Sequence, residues 1–462
     1  MTESSNDDKP KRSNEGKPKP ITTTYKAFPD GRILEECWDG NRAYFYAYDP
    51  HALTERDIIK SVDEFQEDNG THYVPLLEDV LTKKIVLLPT YPARYENEFE
   101  LLGEIQNYIH QWCEIDQETE RLMSGYVLLT WVYEKCPTMP IINNRGRSGT
   151  GKTRLLETMR QVSYRGMRAS GCLSFSSMFR TAEIWRGTLC INEGDLKNSS
   201  EKSDMVKYLN ERYEKGGNVW RTNPNTLNRE YFDAYGPTII TTRQHFKDDA
   251  LESRCFINPM KERTRKDIYL NLPEAFYDSG QSLRNKLLYF RFKHLDTFEN
   301  DYRLEFDRLS PRMNQILQPL ASLARQIDND LYEDVQQTAQ SLQDRIVESM
   351  AETPDGQIVR AFLDLELDSK SERLAFTPKE ISEKIGEDGG DLSPSSVGGR
   401  LSALGFELNR TGKKRLWSMP DSVRESLKMR FIPRDNDTMT PMTAKKGRGS
   451  QKPMDTYPGV SP

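Results

Sequence analysis

The chain has 462 residues, 36% of them hydrophobic, with 65 Lys and Arg against 71 Asp and Glu for a formal net charge of −6. That length allows about two to four domains, each with its own core. The acidic balance excludes a surface that coats nucleic acid everywhere and confines any such contact to a local basic patch. No apolar run reaches the roughly 18 residues a spanning helix needs, so a membrane helix is not expected.

Residues 1–20, "MTESSNDDKPKRSNEGKPKP", lack an apolar stretch and read as a disordered polar tail, not a signal peptide. Next, "ITTTYKAFPDGRILEECWDGNRAYFYAY" alternates apolar and polar residues and is cut at Pro29-Asp30-Gly31 and Asp39-Gly40-Asn41, which predicts a meander of about three strands. From Thr54 the pattern turns helical, and "NEFELLGEIQNYIHQWC" and "TERLMSGYVLLTWVYEKC" place apolar residues at helical spacing. Residues 21–135 thus form an N-terminal α+β domain. In 136–260, "MPII", a glycine-rich loop and "KTRLLETMRQV" read as strand, loop and helix. "TLCI" and "PTIITT" are continuous apolar runs suited to a buried parallel sheet. The fold class is therefore α/β, a P-loop NTPase sheet, followed by a helical lid over 261–330. A polar helix near 331–350 leads into a compact terminal unit ending at 432, and residues 433–462 are Pro, Gly, Lys and Thr rich and expected to be disordered.

The strongest motif is "GRSGTGKT", Gly146 to Thr153, which matches G-x-x-x-x-G-K-[ST]. Gly146, Ser148, Gly149, Thr150 and Gly151 would turn backbone N–H groups toward the phosphates of ATP. Lys152 would reach the β and γ oxygens, and the Thr153 hydroxyl would ligate Mg²⁺. About forty residues later comes "TLCINEGDL". In a P-loop ATPase the acid at the position of Asn192 holds a water on the metal, and the next acid, here Glu193, polarises the attacking water. An amide supplies no charge, so weak Mg²⁺ binding is expected, with Asp195 as a carboxylate that could compensate. Thr241 and Thr242 end the "PTIITT" strand where a hydroxyl can emerge beside a γ-phosphate. Arg254, in "DDALESRCF", is either a finger reaching a neighbouring subunit's nucleotide or a surface ion pair.

In this order the parts resemble the AAA+ ATPases, and more closely the replicative-helicase ATPases of archaeal viruses, plasmids and integrated elements, relatives in layout of minichromosome-maintenance helicases. The resemblance covers roughly residues 80–425. It implies that Arg254 is the arginine finger, that Thr241 or Thr242 is sensor 1, and that a lid arginine such as Arg284 is sensor 2. Asn192 departs from the pattern and leaves hydrolytic competence open. The interval "LNERYEKGGNVWRTNPNTLNREYF" carries a turn signal, Lys215-Gly216-Gly217-Asn218, with Trp220, Arg221 and Arg229 nearby. In similar ring helicases a hairpin here grips DNA in the channel, by backbone contact and stacking.

In the terminal unit, Thr377 to Glu380 form a capping box with Pro at the first helical position, and Ser393-Pro394 opens a second helix that Gly405 ends. "FELNRTGKKRLW" is a strand, turn and strand, so the unit reads as a winged helix. Arg400, Arg410, Lys413, Lys414 and Arg415 concentrate positive charge there, as DNA phosphate contact requires. The six cysteines (Cys37, Cys113, Cys136, Cys172, Cys190, Cys255) are scattered, which suggests a reducing, cytoplasmic setting and no zinc site. The expected function is an ATP-dependent DNA helicase or translocase acting in replication as a homohexameric ring, with replication partners recruited through the N-terminal domain. Its rivals are a nucleotide-dependent DNA-binding initiator or switch with slow turnover and an AAA+ protein remodeller.

Overall fold

The structure, a computed structural model, describes residues 19–169, 175–192, 199–222, 228–306, 309–369, 374–411 and 414–433. Glu193, Asp195 and Lys413 lie outside the described residues, as do 1–18 and 434–462 of the two expected tails.

The N-terminal unit holds a four-stranded antiparallel sheet, β1 (Tyr25–Ala27), β2 (Ile33–Trp38), β3 (Ala43–Tyr48) and β4 (Ile59–Val62). A second small sheet joins Ile21–Thr23, His72–Pro75 and Phe65–Gln66. Three strands and then helix were expected. The extra pairing arises because "IKSV", too polar to announce itself as a strand, finds β3 as an edge partner, and such pairing overrides local preference. Two helices follow, α1 (Glu98–Trp112) and α2 (Gln117–Thr130), capped by Asn97 and Asp116, whose side chains accept from Glu100 N–H and Thr119 N–H.

The core is a five-stranded, wholly parallel sheet of β5 (Ile141–Arg145), β6 (Met167–Ala169), β7 (Leu189–Ile191), β10 (Thr238–Thr242) and β11 (Cys255–Pro259), in the spatial order β11-β5-β10-β7-β6. Helices α3 (Lys152–Val162), α4 (Phe175–Trp185) and α5 (Ser199–Arg212) make the crossovers. Between α5 and β10 the chain forms an antiparallel hairpin, β8 (Asn218–Thr222) and β9 (Arg229–Asp233). Ile141, Leu189, Cys190, Ile239 and Ile240 are buried, as strands covered on both faces require. Because β10 inserts between β5 and β7, the sheet has a switch point at their carboxyl ends, where α/β sheets bind ligands.

Helices α6 (Glu274–His294), α7 (Pro311–Ile327) and α8 (Asn329–Ala351) follow the sheet; α6 packs on α3 and α1, and α7 and α8 pack on α2. The terminal unit comprises α9 (Pro354–Asp368), β12 (Ala375–Phe376), α10 (Pro378–Glu387), α11 (Pro394–Ala403), β13 (Glu407–Thr411), β14 (Lys414–Ser418) and α12 (Asp421–Phe431), its strands ordered β12-β14-β13. Thr377 and Glu380 make both halves of the capping box at α10.

The first three units meet at a buried charge cluster. Glu35 on β2 accepts from Arg165 Nη2 at 2.7 Å and from Arg291 Nε at 2.5 Å, and the Tyr164 hydroxyl donates to it at 3.0 Å. Arg165 follows α3 and Arg291 belongs to α6, so one carboxylate joins the N-terminal sheet, the core and α6. Arg291 also meets both oxygens of Glu134, and Arg165 donates to Thr24 O at 2.6 Å. All three charged side chains are at most 2% exposed. Next to this cluster, Glu36 is fully buried, accepts from Leu76 N–H at 3.0 Å, and has no partner for Oε1. Burial pushes its carboxyl up to about 8 from the ordinary 4.5.

Glu35→Ala leaves the buried Arg165 guanidinium without a carboxylate, while Arg291 keeps Glu134, and should cost about 3 to 5 kcal/mol in denaturant unfolding. For Glu36, the folded chain holds a proton that the unfolded chain has lost between about pH 4.5 and 8, so stability falls as pH rises through that window. In Glu36→Gln that slope should flatten, with the largest gain in Tm near the upper end of the window.

Candidate nucleotide-binding site

The loop between β5 and α3 owes its shape to glycine. Gly149 and Gly151 have φ of +87° and +83°, and Gly151 is the residue from which α3 starts. At Gly146 a Cβ would lie 2.8 Å from the Met260 carbonyl oxygen, so only glycine lets β11's end pass so close. Gly146 N–H donates to Thr242 O at 3.1 Å and Met260 N–H donates to Arg145 O at 2.7 Å, which ties the loop to the strands on both sides. Thr150, which is buried, donates to Arg147 O at 2.9 Å, and Lys152 Nζ curls back to the same carbonyl at 2.5 Å.

Parallel register brings the other candidates to this loop. β10 pairs with β7 on one side and β5 on the other, so Asn192, just past β7, stands beside Thr241. Asn192 Oδ1 accepts from Thr153 Oγ1 at 3.0 Å and from Thr241 Oγ1 at 3.1 Å. One amide oxygen thus joins the P-loop threonine to the β10 threonine. Thr242 turns instead to Asn143 Oδ1, 2.9 Å away in the core. Glu193 and Asp195 fall outside the described residues. A cleft of about 310 Å³ opens here, lined by Ser148, Gly149, Gly151, Lys152, Thr153 and Asn192 together with Thr241, Thr242, Arg154 and Arg243. Arg154 and Arg243 were not singled out from the sequence, although each directly follows a motif residue. The core is P-loop NTPase-like.

The donor set suits a nucleoside triphosphate with a divalent ion: a positive-φ loop of N–H groups, a helix N-terminus, an ammonium, and hydroxyl and amide oxygens in one cleft. These oxygens are neutral, so the described residues give the ion little charge.

Two arginines lie elsewhere. Arg284, expected at the nucleotide, is buried at the far end of α3, where Nη1 donates to the Gln161 carbonyl and Nη2 to Gln281 Oε1 at 2.7 Å. Gln161 is nine residues past Lys152, roughly 13 Å along the helix. Desolvation lowers the Arg284 pKa to about 10. Arg254 sits at the amino end of β11, where its carbonyl accepts from Ile141 N–H at 3.2 Å. It is thus a full strand length, roughly 13 Å, from its own P-loop. Its guanidinium lies 5.5 Å from the ring centre of buried Tyr213 and donates to Ala250 O at 2.7 Å. Arg312, at the start of α7 and missed in the sequence, lies 5.8 Å from the same ring. Among the described residues neither arginine makes an ion pair with a carboxylate.

The basic candidates divide likewise. The Lys215-Gly216-Gly217 turn links α5 to β8 and is not the hairpin tip, which falls at 223–227, outside the described residues. Lys215 Nζ donates to Glu134 O at 2.9 Å, at the base of the hairpin. Trp220 and Tyr231 face each other across the hairpin at 5.2 Å and are 66% and 56% exposed. The opposite hairpin face docks on α4 through Phe232 and Phe179. Arg221 takes register opposite Glu230. In the terminal unit Arg400 pairs with Asp355 at 2.8 Å, and the register sets Arg410 opposite exposed Arg415 and Thr411 opposite Lys414.

No family model matches the sequence, and no curated protein matches it. Among solved structures, the chain is similar to the apo C-terminal region of NrS-1, with 10% identity and a TM-score of 0.37 over 84% of this chain and 96% of that one. It is also similar to SCCmec type IV Cch, described as an active helicase, with 11% identity and a TM-score of 0.37 over 88% and 80%. At such identities the chemistry of the site is carried by its own residues.

Lys152→Ala should weaken binding of a fluorescent ATP analogue by at least about 100-fold. Asn192→Asp should lower the Mg²⁺ concentration needed for half-maximal binding by about tenfold, because it adds a charge at the ion.

Proposed function

We propose that the chain is an ATP-dependent DNA helicase or translocase with an AAA+ core, acting in DNA replication as a homohexameric ring. The observation that carries this reading is the placement of Arg254 and Arg312. They share Tyr213 at the end of the sheet opposite their own nucleotide cleft, without carboxylate partners among the described residues. A cationic pair so placed would meet an anion if a second copy presented its triphosphate there, which would make the catalytic unit a subunit boundary.

Bound MgATP supplies the phosphoryl group and the ion that neutralises its charge. Gly149, Gly151 and Lys152 would hold the phosphates, and Thr153 and Asn192 would hold the ion. Thr241 reads the γ end through its contact to Asn192. Glu193 orients the attacking water, with Asp195 close in sequence as a second carboxylate. Arg254 and Arg312 of the adjoining copy offset charge at the transition state.

DNA contact is assigned to two places. The exposed Trp220 and Tyr231 rings offer stacking surfaces beside Arg229, with Lys215 and Arg221 on the same hairpin. The terminal unit, read as a winged helix, sets Arg410 opposite Arg415 in register, which concentrates basic residues that phosphate contact would need. Lys413, Lys414 and Arg400 add to this surface. The N-terminal unit is the candidate for recruiting replication partners.

A second reading, a DNA-binding switch with slow turnover, is favoured by Asn192, because the metal is held without a carboxylate at that position.

On forked DNA the full chain should displace a strand with ATP and Mg²⁺. Trp220→Ala should lower the unwinding rate by at least about tenfold while leaving nucleotide affinity within about twofold. DNA binding without ATP-dependent unwinding, with turnover restored by Asn192→Asp, would establish the switch instead.

A further inference from the structure

Three parts of the core converge on one carboxylate. Glu252 ends the short helix Asp249–Glu252, two positions before Arg254. Both its oxygens accept from Arg145 Nη2, each at 2.7 Å, and Arg145 is the last residue of β5, immediately ahead of Gly146. Phe246 N–H donates to Oε2 at 3.1 Å. His245 Nδ1 stands 3.2 Å from Oε1 and 2.8 Å from Arg145 Nη1. His245 and Phe246 lie on the segment that leaves Thr242, so Glu252 joins the strand feeding the P-loop, the segment after the β10 threonines, and the turn bearing Arg254.

That turn is gripped twice by the same strand. Arg145 at the end of β5 holds Glu252, and Ile141 at its start donates its N–H to the Arg254 carbonyl. The Arg145 and Glu252 side chains are 11% and 21% exposed, so the pair is shielded from the screening that weakens surface ion pairs. A charge-assisted contact of this kind fixes geometry as well as contributing energy.

We infer that Glu252 is the positioning residue that makes the placement of Arg254 depend on the occupancy of the chain's own nucleotide cleft. This rests on the nucleotide reading of the cleft and on Arg254 acting across a subunit boundary. Phosphates entering the cleft bear on the loop that follows Arg145 and, at Thr242 and Arg243, on the start of the 243–246 segment. A displacement of either reaches the Arg254 turn through Glu252. The two sites are then coupled through one identifiable contact set, which is the physical content of allosteric linkage.

Hydrogen exchange over residues 246–256, with and without ADP or a non-hydrolysable ATP analogue plus Mg²⁺, is the direct test. In the wild-type chain nucleotide should slow exchange of this segment. Glu252→Gln should abolish that response while nucleotide affinity stays within about twofold, and kcat should fall about tenfold at little-changed KM. Arg145→Lys, which keeps the charge and loses the guanidinium fork, should act in the same direction. If the segment responds to nucleotide in Glu252→Gln as it does in the wild type, the coupling role is overturned. If the wild-type chain binds no nucleotide, or Lys152→Ala binds it equally well, the reading of the cleft itself fails, and the inference with it.

Discussion

The assembly of this molecule depends on Glu35. A carboxylate at 2% exposure is tolerable only with full compensation, and the partners that supply it come from different parts of the chain, Arg165 after α3 and Arg291 on α6. Removing Glu35 leaves Arg165 buried without a carboxylate, so this one side chain ties the N-terminal sheet, the core and α6 together. Tyr164 and Tyr25 complete the enclosure: the Arg291 guanidinium lies 4.3 Å from one ring centre and 4.7 Å from the other. Such a cluster adds less to net stability than apolar packing of equal volume would, and more to the uniqueness of the docking.

That docking governs the distances on which function depends. Helix α6 is pinned by Arg291 at one end and by Arg284 on Gln161 further back. It therefore carries no arginine into the cleft from Arg284's position. Arg254 and Arg312 stand instead at the opposite end of the sheet, on Tyr213. About one strand length separates the cleft from Arg254. Glu252 and Arg145 span that separation.

Within the cleft, Asn192 takes both hydroxyls, of Thr153 and Thr241, on one amide oxygen. A carboxylate there would serve the same donors and add a charge. The amide keeps the geometry and gives up the charge, so a divalent ion at this position would be held less tightly than by a carboxylate.

The sequence by itself determined whatever depends on neighbours along the chain. The P-loop is legible because its glycines answer a backbone demand, positive φ at Gly149 and Gly151, that no other residue meets as well. The capping box at Thr377 and the apolar core strands are local for the same reason. Tertiary structure decided the rest. Parallel register, not spacing, selected Thr241 over Thr242 as the partner of Asn192. The path of α6 took Arg284 away from the nucleotide, and the approach of α7 brought Arg312 to Tyr213, fifty-eight residues after Arg254. The hairpin turn moved past Lys215 because Gly216, at φ +93°, serves the exit from α5. None of these has a local signature, since each follows from which surfaces must be buried together, and that is settled only when the whole chain packs.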